Sequence, residues 1–165
     1  MNVLSIEAIN IEPGFANPPR HPDDRFYFPV YEHLSKRKIP LTLMSSSTTP
    51  DPSFNDPARL NLAAANFPAL SIVVYHGYYP NTAGLVGAAF RYENIFPVPD
   101  MYGFIVGGEP LINAAKTFLQ DQLLFGGSYP FRPIKQSMED FIAFGFSKAI
   151  LEKLLFGDAA KVFNV

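Results

Sequence analysis

The chain has 165 residues, 48% of them apolar and 15% aromatic, and a formal net charge of −2. That length suits one domain with a sizeable core, and a charged share of 17%, below the usual ~25%, argues against disorder despite sixteen prolines. The lack of a basic run argues against nucleic acid or an anionic membrane as partner, and the lack of cysteine excludes disulfides, thiolate zinc sites and a cysteine nucleophile.

The opening stretch, MNVLSIEAINIEP, lacks the basic flank and long apolar core of a signal peptide. No run approaches the ~18 apolar residues of a membrane span. A soluble cytoplasmic protein is the expectation.

Apolar and polar residues alternate through 4–12, which predicts a strand near 6–12, stopped by Pro13-Gly14. The loop Phe15–Asp24 is rich in proline and turn formers, as loops that shape sites often are. Asp23 and Asp24 are cap candidates, and Pro29 fits the first turn of a helix running to about Arg37. Leu41–Met44 reads as a short strand and Ser45–Pro52 as its loop. Residues 56–67 read as a helix with Asp56 as cap and Pro57 in its first turn. Ser71–Tyr75 is a continuous β-branched run, the mark of a strand covered on both faces. A helix is predicted over 82–92, a strand over Glu93–Val98 and a helix over 109–119. A last strand follows at Gln122–Phe125, then helices at 135–144 and 148–155 with Gly157 as C-cap and a final turn from Asp158. The alternation predicts an α/β fold of about five parallel strands with crossover helices and a helical C-terminus.

The last strand enters LLFGGSYPF, residues Leu123–Phe131. Gly126 and Gly127 allow positive φ or close backbone approach, and Pro130 drives Tyr129 out of the helical region. Ser128 is the polar residue left at the strand's end, where parallel α/β folds carry function.

This stretch resembles the last-strand motif Phe-Gly-Ser-Asp-Tyr-Pro of the amidohydrolase-related metal-dependent hydrolases. Phe125, Gly126, Tyr129 and Pro130 match; Gly127 stands for the serine and Ser128 for the aspartate. Glu7–Pro13 resembles the family's fourth barrel strand, Phe26–Pro40 the helix after it, and Asn66–Gly77 the sixth strand with its histidine at His76. Leu154–Val165 resembles the closing segment of the family. The resemblance implies a partial TIM-barrel-like fold, strands four to eight, in a single domain of residues 1–165 without counterparts of strands one to three. A full (β/α)₈ barrel needs about 250 residues.

The resemblance also implies chemistry. The family binds a divalent metal, usually zinc, which polarises a bond and activates water. Its histidine at the place of His76 is a metal ligand or an acid–base group. Its aspartate, at the place of Ser128, binds metal and handles the proton of the attacking water. The His-x-His ligand pair belongs to the strands without counterparts here, and the fifth-strand ligand histidine aligns with Met44. Ser45 and Ser46 beside it are no substitute for an imidazole.

Other candidates come from the residues themselves. His21 with Asp23 and Asp24 resembles a metal cluster on paper, but the spacing is read first as a solvated turn plus helix cap. Glu12 ends the first strand and is a ligand, cap or salt-bridge partner. His33 falls on the solvent side of its helix. Ser128 as nucleophile would need His76 within reach as base, and Gly-Gly-Ser-Tyr-Pro is not the nucleophile elbow of serine hydrolases. Tyr75, Tyr78, Tyr79 and Tyr129 are candidates for the mouth wall.

Three readings follow. The first is an amidohydrolase-like enzyme acting on a small amide, lactone or carboxylate, or, as in some relatives, decarboxylating its substrate. The second is a non-catalytic remnant, a truncated or degenerate domain that retains the C-terminal part of the fold without activity and possesses no metal. The third is an interaction module whose open sheet edges are covered by a second copy or a partner chain.

Overall fold

Branched apolar runs separated by helix-forming segments assemble as a one-directional sheet. The computed structural model describes residues 7–46 and 48–165; Ile6, the first residue of the strand expected at 6–12, lies outside them. Among the described residues there are four strands: β1 (Ile9–Ile11), β2 (Leu41–Ser46), β3 (Ile72–Tyr79) and β4 (Ile95–Val98). All pair in parallel, in the spatial order β1-β2-β3-β4. Helices α1 (Phe28–Arg37), α2 (Leu60–Asn66) and α3 (Thr82–Arg91) make the crossovers. Helices α4 (Glu109–Ala115), α5 (Ile134–Ala143), α6 (Lys148–Glu152) and α7 (Asp158–Phe163) follow. Strands added in sequence order through right-handed crossovers keep their helices on one face. The sheet is therefore an open arc of a TIM-barrel-like α/β fold.

Side-chain alternation divides the strands between two cores. Leu41, Leu43, Ile72, Val74 and Ile95 pack with the helices. Val73, Tyr75, Phe96 and Val98 turn to the concave face, where Leu124 and the α7 residues Ala159, Val162 and Phe163 meet them. Asn164 Nδ2 donates to the Lys38 carbonyl at 3.3 Å, which ties α7 to the end where β2 begins. The opposite end, where strands finish, is left to the loops.

Several expectations change. Gln122–Phe125 is not a strand. Leu124 N–H donates to the Pro97 carbonyl at 2.9 Å, but Pro97 has no N–H with which to return a bond, so no ladder forms. Two strands run longer than expected, β2 to Ser46 and β3 to Tyr79, whereas the strand expected from Glu93 starts at Ile95. Asp56 does cap, accepting from Ala58 N–H at 2.9 Å, but it opens a 3₁₀ turn, and α2 proper starts at Leu60. The helix expected over 109–119 ends at Ala115. Gly157 is no C-cap. Its φ is −59°, and a π-turn over Lys153–Gly157 carries α6 straight into α7. Asp24 caps as expected, accepting from Phe26 N–H at 2.8 Å.

Tyr31 and Tyr78 are among the largest fully buried side chains. Tyr31 Oη donates to the Pro22 carbonyl at 2.9 Å. Tyr78 Oη is buried and has no partner among the described residues. Burial pushes both phenols far above the ordinary tyrosine range. Tyrosine in an unfolded chain ionises near pH 10. Their contribution is thus complete below about pH 10 and is lost as pH rises beyond it. Tyr78→Phe removes an unsatisfied hydroxyl and is expected to stabilise the fold by about 1 kcal/mol at neutral pH. Tyr31→Phe breaks a satisfied bond and is expected to cost about 1 kcal/mol. Urea denaturation at neutral pH and near pH 11 checks both, with Tyr78→Phe the less alkali-sensitive of the two proteins when set against the parent.

Candidate active site

Strand ends converge on three residues whose backbones share an unusual conformation. At the end of β3, His76, Gly77 and Tyr78 have φ of +64°, +59° and +54°. Beyond β4, Asp100 has φ +42°, and after the Leu123–Phe125 segment Ser128 has φ +56°. Left-handed backbone at a non-glycine residue is uncommon and costs on the order of 1–3 kcal/mol. Such strain gathers at functional sites. At Gly77 a side chain would also collide, since an added Cβ would stand 2.6 Å from Leu111 Cδ1.

Ser45 brackets the His76 turn. Its hydroxyl donates to the Tyr75 carbonyl at 2.8 Å and accepts from Tyr78 N–H at 3.3 Å. Asp100 then reaches across from the neighbouring strand end. One carboxylate oxygen, Oδ2, accepts from both His76 N–H at 2.9 Å and His76 Nδ1–H at 2.7 Å. The carboxylate is buried, its side chain 6% exposed against 19% for His76. A carboxylate can only accept, so Nδ1 holds a hydrogen, and in the neutral imidazole Nε2 keeps its lone pair. Nε2 is bonded to no other described residue. Tyr102 stands edge-on to the imidazole at 5.5 Å, with Tyr79 stacked on Tyr102 at 4.7 Å. Tyr75 lies on the concave side. Burial first, then the Asp100 carboxylate, raises its phenol above the ordinary value.

Of the residues singled out by sequence, His76 and Ser128 fall in this cluster. Among the described residues no hydrogen bond joins Ser128 to His76, the base that a nucleophilic serine would need. Its Oγ accepts from Met101 N–H at 2.7 Å. Gly126 and Gly127 turn out not to have positive φ; they serve close approach. An added Cβ would lie 2.6 Å from Val98 Cγ1 at Gly126 and 2.1 Å from Ile134 Cδ1 at Gly127. Tyr78 is wholly buried in the helix-side core and Tyr129 is 76% exposed, so neither walls the site.

Asp100 escaped sequence reading. It follows Pro97-Val98-Pro99, and its signal was there: it is the first polar side chain after a buried strand that two prolines cut short. The remaining candidates stand apart. His33 is exposed. His21 stacks on Phe54 at 4.4 Å, its Nδ1 buried without a hydrogen-bond partner among the described residues. Asp24 is engaged by Phe26 N–H and Arg20, which hold its carboxyl below the usual range. Asp23 faces Arg59 at 3.4 Å. Glu12 is exposed and accepts from Asn10 at 3.2 Å.

These donors do not fit a metal centre by themselves. Among the described residues no three His, Cys, Asp or Glu side chains converge. The hydroxyls of Ser45 and Ser128 are spent on backbone groups, and Met44 occupies the β2 position that the resemblance assigns to a histidine. Neither does any helix described here have the length and apolarity to cross a membrane.

Comparison with known proteins bears on the fold. The amidohydrolase family model Amidohydro_2 matches residues 9–165. An uncharacterised TIM-barrel protein from Bordetella bronchiseptica is 33% identical at a TM-score of 0.90, over 96% of this chain and 57% of that one. A dihydroxybenzoic acid decarboxylase from a Polaromonas species, solved with bound manganese and the inhibitor 2-nitroresorcinol, is 19% identical at a TM-score of 0.66, over 88% and 56%. A 4-oxalomesaconate hydratase from Rhodopseudomonas palustris is 20% identical at a TM-score of 0.67, over 95% and 55%. The last two likenesses concern the fold alone. The chain spans just over half the length of each solved relative. No curated protein matches it significantly.

Elemental analysis of the chain, purified without chelator and then dialysed against zinc or manganese, is expected to give well under one metal per chain. Near-stoichiometric metal that disappears in His76→Ala would mean that a complete donor set has been overlooked.

Proposed function

This chain belongs to the amidohydrolase family, and we propose that it contributes the acid–base part of an amidohydrolase-like active site. The substrate class we assign is a small amide, lactone or carboxylate. The observation that supports this most is the 2.7 Å contact of His76 Nδ1 with the buried Asp100 carboxylate. It leaves Nε2 as a base at the end of a parallel strand, where such folds hold their chemistry.

In this reading His76 Nε2 takes a proton from water as the water oxygen bonds to the substrate carbonyl carbon. The imidazolium formed is balanced by the Asp100 carboxylate. It returns the proton to the departing nitrogen or oxygen as the carbon–heteroatom bond breaks. Tyr102 and Tyr79 border the imidazole with aromatic surface suited to a small planar or apolar group. Among the described residues the metal-ligating side chains do not assemble a metal site, so the proton transfers fall to His76 and Asp100.

We propose further that the open arc is completed by other polypeptide. Strand β1 has no outer neighbour among the described residues, and an unpaired edge is a template for another strand. A second copy or a separate chain on that edge is the partner this reading calls for. Sedimentation at rising concentration separates the two.

Hydrolysis of a panel of small lactones and p-nitroanilides, with carbon dioxide release from small aromatic carboxylates measured beside it, tests the assignment. Loss of the base in His76→Gln is expected to lower turnover by about 10²–10⁴-fold. Asp100→Asn, which leaves the imidazole unoriented, is expected to lower it by about 10–100-fold. Activity that persists in His76→Gln would remove the base assignment.

A further inference from the structure

Ser128 stands where the family resemblance places an acidic metal ligand, yet the structure commits its side chain to another task. We infer that Ser128 is a positioning residue for the His76–Asp100 pair, acting through the backbone turn that carries Asp100. The inference rests on the acid–base reading above.

Four observations lead there. Ser128 Oγ accepts from Met101 N–H at 2.7 Å, and Met101 follows Asp100 directly. Asp100 has φ +42°, a conformation that an aspartate keeps only when its surroundings hold it there. The rest of the support at this turn is local: Tyr102 N–H and Gly103 N–H both donate to the Pro99 carbonyl, at 3.1 and 3.2 Å. Gly126, finally, lets the segment lie against the β4 end, where an added Cβ would meet Val98 Cγ1 at 2.6 Å and Asp100 Cβ at 3.2 Å. The glycine brings the chain in and the serine fastens it.

The consequence is a chain of placement from the turn after the Leu123–Phe125 segment to the ends of β4 and β3. Ser128 holds the Met101 amide, that amide holds the Asp100 backbone, and the Asp100 carboxylate sets which nitrogen of His76 carries the hydrogen. Ser128 therefore needs an acceptor atom and tolerance of left-handed backbone, but neither nucleophilicity nor charge. Asparagine meets both needs: it adopts φ near +56° more readily than most residues and its amide oxygen accepts an N–H. Glycine meets only the second.

The readout is the tautomer of His76, followed by ¹⁵N NMR of the imidazole in the full chain at a pH where the ring is neutral, with His21 and His33 as internal controls. The parent is expected to show His76 protonated at Nδ1. Ser128→Gly is expected to shift His76 toward the Nε2-protonated form, and Ser128→Asn to retain the parent pattern. A nucleophile would be lost in both variants, and a ligand site would not touch the tautomer of the metal-free protein. An unchanged His76 spectrum in Ser128→Gly, while Asp100→Asn does shift it, overturns the positioning role and leaves the acid–base pair standing. An unchanged spectrum in Asp100→Asn overturns the pair itself. Should Ser128→Gly fail to fold, Ser128→Ala, which also lacks the acceptor, takes its place: a shifted His76 supports the inference, and an unchanged one sinks it.

Discussion

The contact between the Asp100 carboxylate and the His76 imidazole is the constraint around which this site is arranged. It joins the ends of two neighbouring parallel strands by side chains, just past the point where their backbone ladder stops. A single oxygen takes both the amide and the ring N–H of His76. Burying a carboxylate is costly unless it is hydrogen-bonded, and these two bonds offset that cost. The other oxygen, Oδ1, is buried without a partner among the described residues. The pair is thus stabilised from one side only, which is the kind of local expense that functional sites show.

Left-handed backbone is what brings the pair together. A regular strand alternates its side chains between faces, so a residue at the end of β3 and one at the end of β4 would point along parallel lines. Consecutive left-handed residues at His76, Gly77 and Tyr78, and another at Asp100, break that alternation and turn the two side chains toward each other. Serine hydroxyls hold the breaks in place. Ser45 bridges the two sides of the His76 turn, and Ser128 grips the amide after Asp100. Two positions at or beside places where the family resemblance implies metal ligands therefore carry short neutral side chains that bond to backbone.

The donor chemistry has been redistributed accordingly. The resemblance implies a histidine at the end of β2 and an aspartate at position 128. Here those places hold Met44 and Ser128, while a carboxylate stands just beyond the end of β4, at Asp100. In the acid–base reading, the imidazole buttressed by Asp100 is the group that moves the proton, with Tyr102 edge-on to it and Tyr79 stacked on Tyr102.

How much of this was legible in sequence differs by level. The one-directional α/β arrangement was, because crossover helices and β-branched runs such as Ser71–Tyr75 leave few other ways to bury both faces. His76 and Ser128 were legible as strand-end candidates, because each is the polar residue that ends an apolar run, and the structure brings both into one cluster. The fifth strand was misjudged: Leu123–Phe125 has strand composition, but whether it pairs depends on Pro97 of a neighbour about thirty residues earlier. Asp100 and the tasks of Ser45 and Ser128 were beyond reach, because each is defined by an atom on another strand. Local pattern decides which segments become strands and where they stop. Only tertiary packing decides which strand ends face one another, and with that whether a serine is a nucleophile, a ligand or a fastening.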